Sequence, residues 1–284
     1  MIIDSISKAK QFLPSLNVTV ANTRLNDFFQ RAQTWVVENI IGTGIEELLE
    51  TAVGEGQEDP HAALRELTGR VIAVAAYSDA IPEMDLQLSE AGFVVQNNEK
   101  MSPASKERVE RLLSSLESRL ANDADALVKY LWKNSGSNGA YSVWRGSAQF
   151  CYLTACFVPF CQKIKECVTT SNVDNWHKFH DLIPVMANVM KTTVAEYVSL
   201  EQIDKLLELY RANGLLREQR AAIRKIEMAV VSAGCGDMKM CKEYAAQARS
   251  VMLKNIDLFP EFHASDKFNT PKVSIDGGKV AKFL

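Results

Sequence analysis

Two stretches decide how this chain is read: VVENIIGTGIEELLE at 36–50 and VAEYVSLEQIDKLLE at 194–208. Aligned without a gap, they share Val36/Val194, Glu38/Glu196, Ile45/Ile203, Leu48/Leu206, Leu49/Leu207 and Glu50/Glu208. Each leads from one apolar-periodic helix into a second that ends in Leu-Leu-Glu. Chance, the shared grammar of amphipathic helices and duplication of a building block are three readings of the match. Amphipathic helices reuse Val, Leu, Ile and Glu, which argues for grammar. The order of elements argues for duplication. In each half a long helix, a short helix, a loop, a helix with a small apolar centre and a further amphipathic helix follow one another. The apolar centres are VIAVAAYS at 71–78 and IEMAVVSA at 226–233.

Working outward from 36–50, Leu25, Phe28, Phe29, Ala32, Val36, Val37 and Ile40 recur at helical spacing and predict a helix over 22–41, capped by Asn22 or Thr23 and ended by Gly42. Thr43 and Glu46 have capping-box spacing for the short helix, as Ser199 and Gln202 do in the second half. Asp59-Pro60 reads as cap and first turn of a helix through LRELTGRVIAVAAYS, whose near-continuous apolar run from Val71 to Ala76 makes it central. In MDLQLSEAGFVVQN (84–97), alternation around Ser89-Glu90-Ala91-Gly92 predicts a β-hairpin. Ser102-Pro103 opens another helix, which continues or breaks near Asn122. The Gly/Ser/Asn-rich segment 133–142 reads as the linker between two domains. Helices are then expected over 144–168, 174–198, 199–213, 215–233 and 238–256, with extended character from Phe262 and a terminal hairpin around Asp276-Gly277-Gly278. The expected fold is mainly α: two helical bundles at 1–135 and 143–263, a hairpin at 84–97 inserted in the first, and an extended tail at 264–284.

The 284 residues suffice for a sizeable core, and 47% apolar with 24% charged residues is a globular composition. Net charge is −3, which indicates no dedicated nucleic-acid binder. The charge is uneven: residues 1–100 hold 7 Lys/Arg against 15 Asp/Glu, and the remainder carries the opposite surplus. That asymmetry suits head-to-tail association of copies or simply two solvated surfaces. No basic leader followed by a long apolar run marks the N-terminus, and FCYLTACFVPF (150–160) is too short for a membrane span and reads as a buried helix. Six cysteines at 151, 156, 161, 167, 235 and 241 fit no zinc or disulfide spacing, so free buried thiols are expected.

Motifs that carry chemistry are sparse. His177 and His180 in WHKFH share a helix face, without a third ligand in sequence, beside packing residues Trp176 and Phe179. His61 and His263 have no nameable partner. Asp276-Gly277-Gly278-Lys279 lacks Walker spacing, and Asn122-Asp123-Ala124-Asp125 is too short for a calcium loop. No cysteine has a histidine sequence neighbour to lower its pKa. No catalytic residue, cofactor or metal is therefore assigned.

The lead-in FLPSLNVTV (12–20), followed by a helix with Ala32, Val36 and Val37 that stops at Gly42, resembles the opening of helical head–tail connector, or adaptor, proteins of tailed bacteriophages. DLQLSEAGFVVQNNEKMSPASKERVERL (85–112) is similar to an uncharacterised family common in Bacteroides phages and prophages, whose members carry a Gly-Phe-Val-Val-like strand, then Pro-Ala-Ser and a long helix. The resemblance covers residues 10–135 or so. The second half and the tail depart from short single-domain adaptors. The resemblance implies a structural neck component in the virion, present in the host cytoplasm before assembly. It would form a homo-oligomeric ring that contacts portal and tail proteins, with DNA at most passing through the lumen and no membrane contact. Strand addition needs exposed backbone edges, so recognition is expected at Leu86, Leu88, Phe93 and Val95 and at Val273, Ile275, Val280 and Phe283. The first four could instead cover their own domain's helices. A cytoplasmic helical interaction protein without a virion role, and a thiol- or histidine-dependent enzyme, are the competing classes.

Overall fold

Residues Val71–Ala76 lie in the middle of α4 (Ala62–Asp85) and are all buried, so over this stretch the helix is apolar on every side and must be enclosed. The computed structural model that shows this describes residues 2–3, 6–13, 24–51, 57–85, 87–89, 92–94, 105–136, 139–168, 173, 175–269, 275–276 and 279–280. The protein is mainly α-helical and divides into two units, 1–151 with 174–176 and 152–173 with 177–284.

In the first unit α4 is packed by α1 (Ile6–Phe12), α2 (Arg24–Val36) and α5 (Lys106–Asn134). Leu25, Phe28, Phe29, Ala32 and Val36 line one stripe of α2, and Leu116, Leu120, Ala124, Leu127, Val128 and Leu131 one stripe of α5. The latter helix runs unbroken through Asn122. Asp59 caps α4 by accepting from the His61 N–H at 2.8 Å. The helix extends through Asp85, so the first two residues of the expected hairpin at 84–97 are helical. Beyond them β1 (Gln87–Ser89) pairs antiparallel with β2 (Gly92–Val94), Leu88 opposite Phe93. Among the described residues neither strand has a further neighbour.

Three expectations are corrected by the structure. The 133–142 segment is no linker. Tyr141 is buried, its N–H reaches the Asn134 carbonyl at 3.4 Å, and a Cβ at Gly139 would stand 2.2 Å from that carbonyl oxygen. The glycines serve a tight turn leading into α6 (Ser142–Arg145), and the unit runs on to Cys151, within α7 (Ala148–Leu153). The helix expected over 144–168 is broken. After α7 the chain turns at 154–160, with Phe157 at φ +62° and Pro159 blocking continuation, before α8 (Cys161–Cys167). FCYLTACFVPF is therefore buried largely as a turn rather than as one helix. Finally, 262–269 is not extended: α14 (Pro260–Ala264) and α15 (Asp266–Asn269) form there, with Phe262 in the core and the Phe268 ring against it at 5.9 Å. Further on, β3 (Ile275–Asp276) pairs antiparallel with β4 (Lys279–Val280).

The second unit is built on α12 (Arg217–Gly234) and α13 (Met238–Lys254), whose facing small residues Ala222, Ala229, Ala245 and Ala248 are fully buried. Against α13 stands α10 (Ala195–Val198), which the chain enters from the side of α9 (Trp176–Val189) and leaves into α11 (Leu200–Arg211), packed on α10.

Both units contain the same kind of corner. After α2, Val37–Ile41 form a π-helical turn closed by the Gly42 N–H on the Val37 carbonyl at 2.9 Å. Gly42 then takes φ 76°, ψ 163°, and α3 (Thr43–Glu50) starts at once. After α9, Met190–Val194 form a π-helical turn, α10 adds four residues, and Ser199 takes φ 66°, ψ 150° before α11. The letters shared by 36–50 and 194–208 are not in register with this geometry. The gap-free match sets Gly42 opposite Leu200, one position past Ser199, so Leu48 is half-buried while Leu206 is fully buried. The capping boxes differ from expectation too. Gly42, not Thr43, precedes α3, and Glu46 instead accepts from the Gln33 amide at 3.0 Å. Ser199 Oγ does accept from the Gln202 N–H at 3.2 Å, but Gln202 Oε1 takes the Phe262 N–H at 3.1 Å.

Candidate functional site

Four of the eight residues expected to make intermolecular contacts, Leu86, Val95, Val273 and Phe283, lie outside the described residues. The other four are placed by backbone: Leu88 opposite Phe93, and Ile275 opposite Val280. Each hairpin is a two-stranded sheet, so each presents outer edges with no strand partner among the described residues. Rows of N–H and C=O groups on such edges template the addition of another strand.

Charged side chains gather at two places. In the first unit a cleft of ≈ 780 Å³ opens between an N-terminal strap (Ile2, Ile3 and α1), α4 and α5. Ile3 and Phe12 wall it on the apolar side. The strap is anchored by the Ile2 N–H on Gln33 Oε1 at 2.9 Å and by Arg119, whose Nη2 donates to the Phe12 carbonyl at 2.5 Å. Arg65 donates through Nε to Asp59 Oδ2 at 2.8 Å and through Nη1 to the Leu49 carbonyl. The Arg65 bond holds the Asp59 carboxyl below the ordinary range, against desolvation. Asp123 lies 3.5 Å from Arg119, and burial raises its carboxyl despite that cation. Sequence reasoning missed this cleft because its basic residues are 8, 65, 70 and 119, distant in the chain.

In the second unit Glu227 sits on the inner side of α12, 2% exposed. Lys163 of α8 donates to its Oε1, and Arg224 Nη1 donates to its Oε2 at 3.2 Å. Arg224 also reaches the Glu166 carbonyl at 3.1 Å and Cys167 Sγ at 3.4 Å. The arrangement pins α8 to α12. A buried carboxylate with two cationic partners satisfies itself and offers no free base.

None of the six cysteines is in a disulfide, but Cys151 and Cys235 are exposed, which corrects the expectation of uniformly buried thiols. Burial pushes the Cys156 thiol up to about 12 and Cys167 to about 11, and it raises Cys241, so these three stay protonated near neutrality. His177 is exposed while His180 is half-buried and stacked on the Tyr152 ring at 4.5 Å. The local cause is Pro184. Lacking an N–H, it leaves its helical acceptor, the His180 carbonyl, to the Tyr152 hydroxyl at 2.9 Å. Burial lowers the His180 pKa. His61 Nδ1 lies 3.4 Å from the Tyr141 hydroxyl, and His263 packs edge-on against Phe268. Among the described residues no three His, Cys, Asp or Glu side chains come together as metal ligands. No described helix is long and apolar enough to cross a membrane.

Residues 36–153 match the model of a family of unknown function, DUF6712. The match opens on the last residue of α2 and ends on the last residue of α7, two residues past the end of the first unit's main span. That description assigns no role and makes no link to phage connectors. No curated protein and no solved structure matches the chain.

Proposed function

We propose that this chain is a structural assembly protein of a tailed-bacteriophage virion, a head-to-tail adaptor in the neck ring, acting through protein–protein contacts rather than catalysis. The observation that carries the reading is the pair of two-stranded hairpins on helical bodies, each with strand edges unpaired among the described residues. An extended segment of a neighbouring copy, of the portal or of a tail protein adds to such an edge by main-chain hydrogen bonds. Identical copies close a ring through heterologous lateral contacts. The chemistry of the side chains supports an assembly role. Glu227 and Asp59 are engaged with cations of their own units, and the buried thiols are held protonated. The order helix, π-helical turn, positive-φ corner and three helices, present in both units, supports descent from one duplicated block, with α10 an addition in the second.

The test joins two measurements. Light scattering behind size exclusion should find a ring-sized species, alone or upon addition of portal protein, and mass spectrometry should find the chain in purified particles. A strictly monomeric chain absent from particles would leave the cytoplasmic interaction protein as the surviving class. Removing 270–284 should abolish assembly while the helical circular-dichroism signal stays; unchanged assembly refutes the role of the tail.

A further inference from the structure

The two hairpins differ in root, in reach and in charge. The arm at 270–284, which carries β3 and β4, leaves the second unit from a fixed root. Arg249 of α13 donates through Nη2 to the Lys267 carbonyl at 3.3 Å and the Phe268 carbonyl at 3.0 Å, both in α15. Its guanidinium carbon stands 5.9 Å from the centre of the Phe262 ring. Five residues, 270–274, then join Asn269 to Ile275, which allows a reach of roughly 20 Å at full extension. The ribbon at 84–97, which carries β1 and β2, is joined instead to the end of α4. Strands of two and three residues make ribbons that are marginal alone in water, and further strands stabilise them. Residues 84–97 hold Asp85 and Glu90 and no Lys or Arg, a side-chain charge of −2. Residues 270–284 hold Lys272, Lys279 and Lys282 with Asp276, a charge of +2. Asp276 stands opposite Lys279 in register, so Lys272 and Lys282 supply the surplus.

We propose that β3–β4 of one copy adds edge-on to β1–β2 of the next, joining successive copies through a four-stranded sheet. The inference rests on the assembly role argued above and names its partner, a second copy of this chain. Charge selects the unlike pair: two arms repel, two ribbons repel, and an arm attracts a ribbon. Main-chain hydrogen bonds between the facing edges supply the contact itself. Each copy offers one arm and one ribbon. Such a contact is heterologous, and a ring closes when the last arm meets the first ribbon.

Light scattering behind size exclusion, on the full-length chain at low salt with no portal present, tests this by exchanging charge. The parent should self-associate, and added salt should weaken the association. Asp85→Lys with Glu90→Lys turns the ribbon to +2, and a lysine at the end of α4 suits the helix dipole. Lys272→Glu with Lys282→Glu turns the arm to −2 and spares the Asp276–Lys279 pair. Either reversed chain alone should be monomeric, because its arm and ribbon then share a sign. An equimolar mixture of the two should assemble again, since each arm meets a ribbon of opposite sign on the other chain. Circular dichroism of both should match the parent. Should a double variant fold poorly, Glu90→Lys and Lys282→Glu singly should still lower the apparent mass at fixed concentration. A monomeric parent, reversed chains that assemble as the parent does, or folded reversed chains that stay monomeric when mixed would overturn the proposal. Unaffected assembly of a chain found in purified particles would remove this contact and leave the neck role standing. Restored assembly of a chain absent from particles would do the reverse.

Discussion

The two corners, Val37–Thr43 in the first unit and Met190–Leu200 in the second, solve one geometric problem with different residues. Each loosens the helix by a π-helical turn and reverses it at a residue in the extended, positive-φ region that side chains ordinarily avoid. Gly42 enters that region with no Cβ to strain, and the corner is held from outside. Trp144 Nε1–H donates to the Ile40 carbonyl at 2.8 Å, and Gln149 Nε2–H to the Glu38 carbonyl at 2.9 Å. Ser199 enters it with a Cβ and is held from within and ahead. Its Oγ caps Gln202, whose side chain in turn takes the backbone of Phe262. The contrast teaches that a strained dihedral persists where local hydrogen bonds over-determine it, and that glycine is needed where they do not.

The largest effect should come from removing the external brace. Trp144→Ala deletes a fully buried ring packed on Phe150 at 5.1 Å, and should destabilise the first unit by about 3–5 kcal/mol in urea unfolding. Trp144→Phe keeps most of the packing, loses the bond to Ile40 and should lose about 1 kcal/mol. A Phe variant as damaged as Ala would show the indole bond, not the ring, to be the brace.

Gly42→Ala comes next. Its Cβ would stand 2.8 Å from Gln149 Oε1 at a φ of 76°, so a loss of about 2 kcal/mol is expected from strain and the displaced brace. A neutral result would break the comparison, since glycine would then be dispensable there.

At the other corner the signs should separate. Ser199→Ala keeps the strain and loses the cap, a loss of about 1 kcal/mol. Ser199→Gly loses the same hydroxyl but releases strain worth about 1–3 kcal/mol, so it should match or exceed the parent in stability. Alanine and glycine variants of equal stability would mean that Ser199 is unstrained.

The smallest effect is pH-dependent. Burial lowers the His180 pKa below its ordinary 6.5, so the unfolded chain takes up this proton before the folded one does. Stability from the neutral imidazole is complete above 6.5 and is lost as pH falls through the folded value. Melting temperatures of the parent should decline over that window, and His180→Gln should flatten the decline. An unchanged slope would place the titration elsewhere.

Much of this was written locally. The periodicity of Leu25–Ile40, the all-apolar run in α4 and the Asp59 cap are properties of short windows, and they fall where helix physics puts them. The strap cleft was illegible because Lys8, Arg65, Arg70 and Arg119 meet only after α1, α4 and α5 pack. The role of 133–142 was misread for a related reason. Glycine and serine signal both a linker and a tight turn, and only burial of Tyr141 and the bond to the Asn134 carbonyl distinguish them.

The amino-acid order alone determined that this is a chain of helices, which of them is innermost, and that Gly42 ends the second, because those features rest on side-chain spacing within a few turns. The tertiary structure alone decided that Ser199 mirrors Gly42 and that Trp144 braces a corner a hundred residues upstream. Each of these depends on a partner brought near by folding, and a hydrogen bond has no signature in sequence until its donor and acceptor share a place in space.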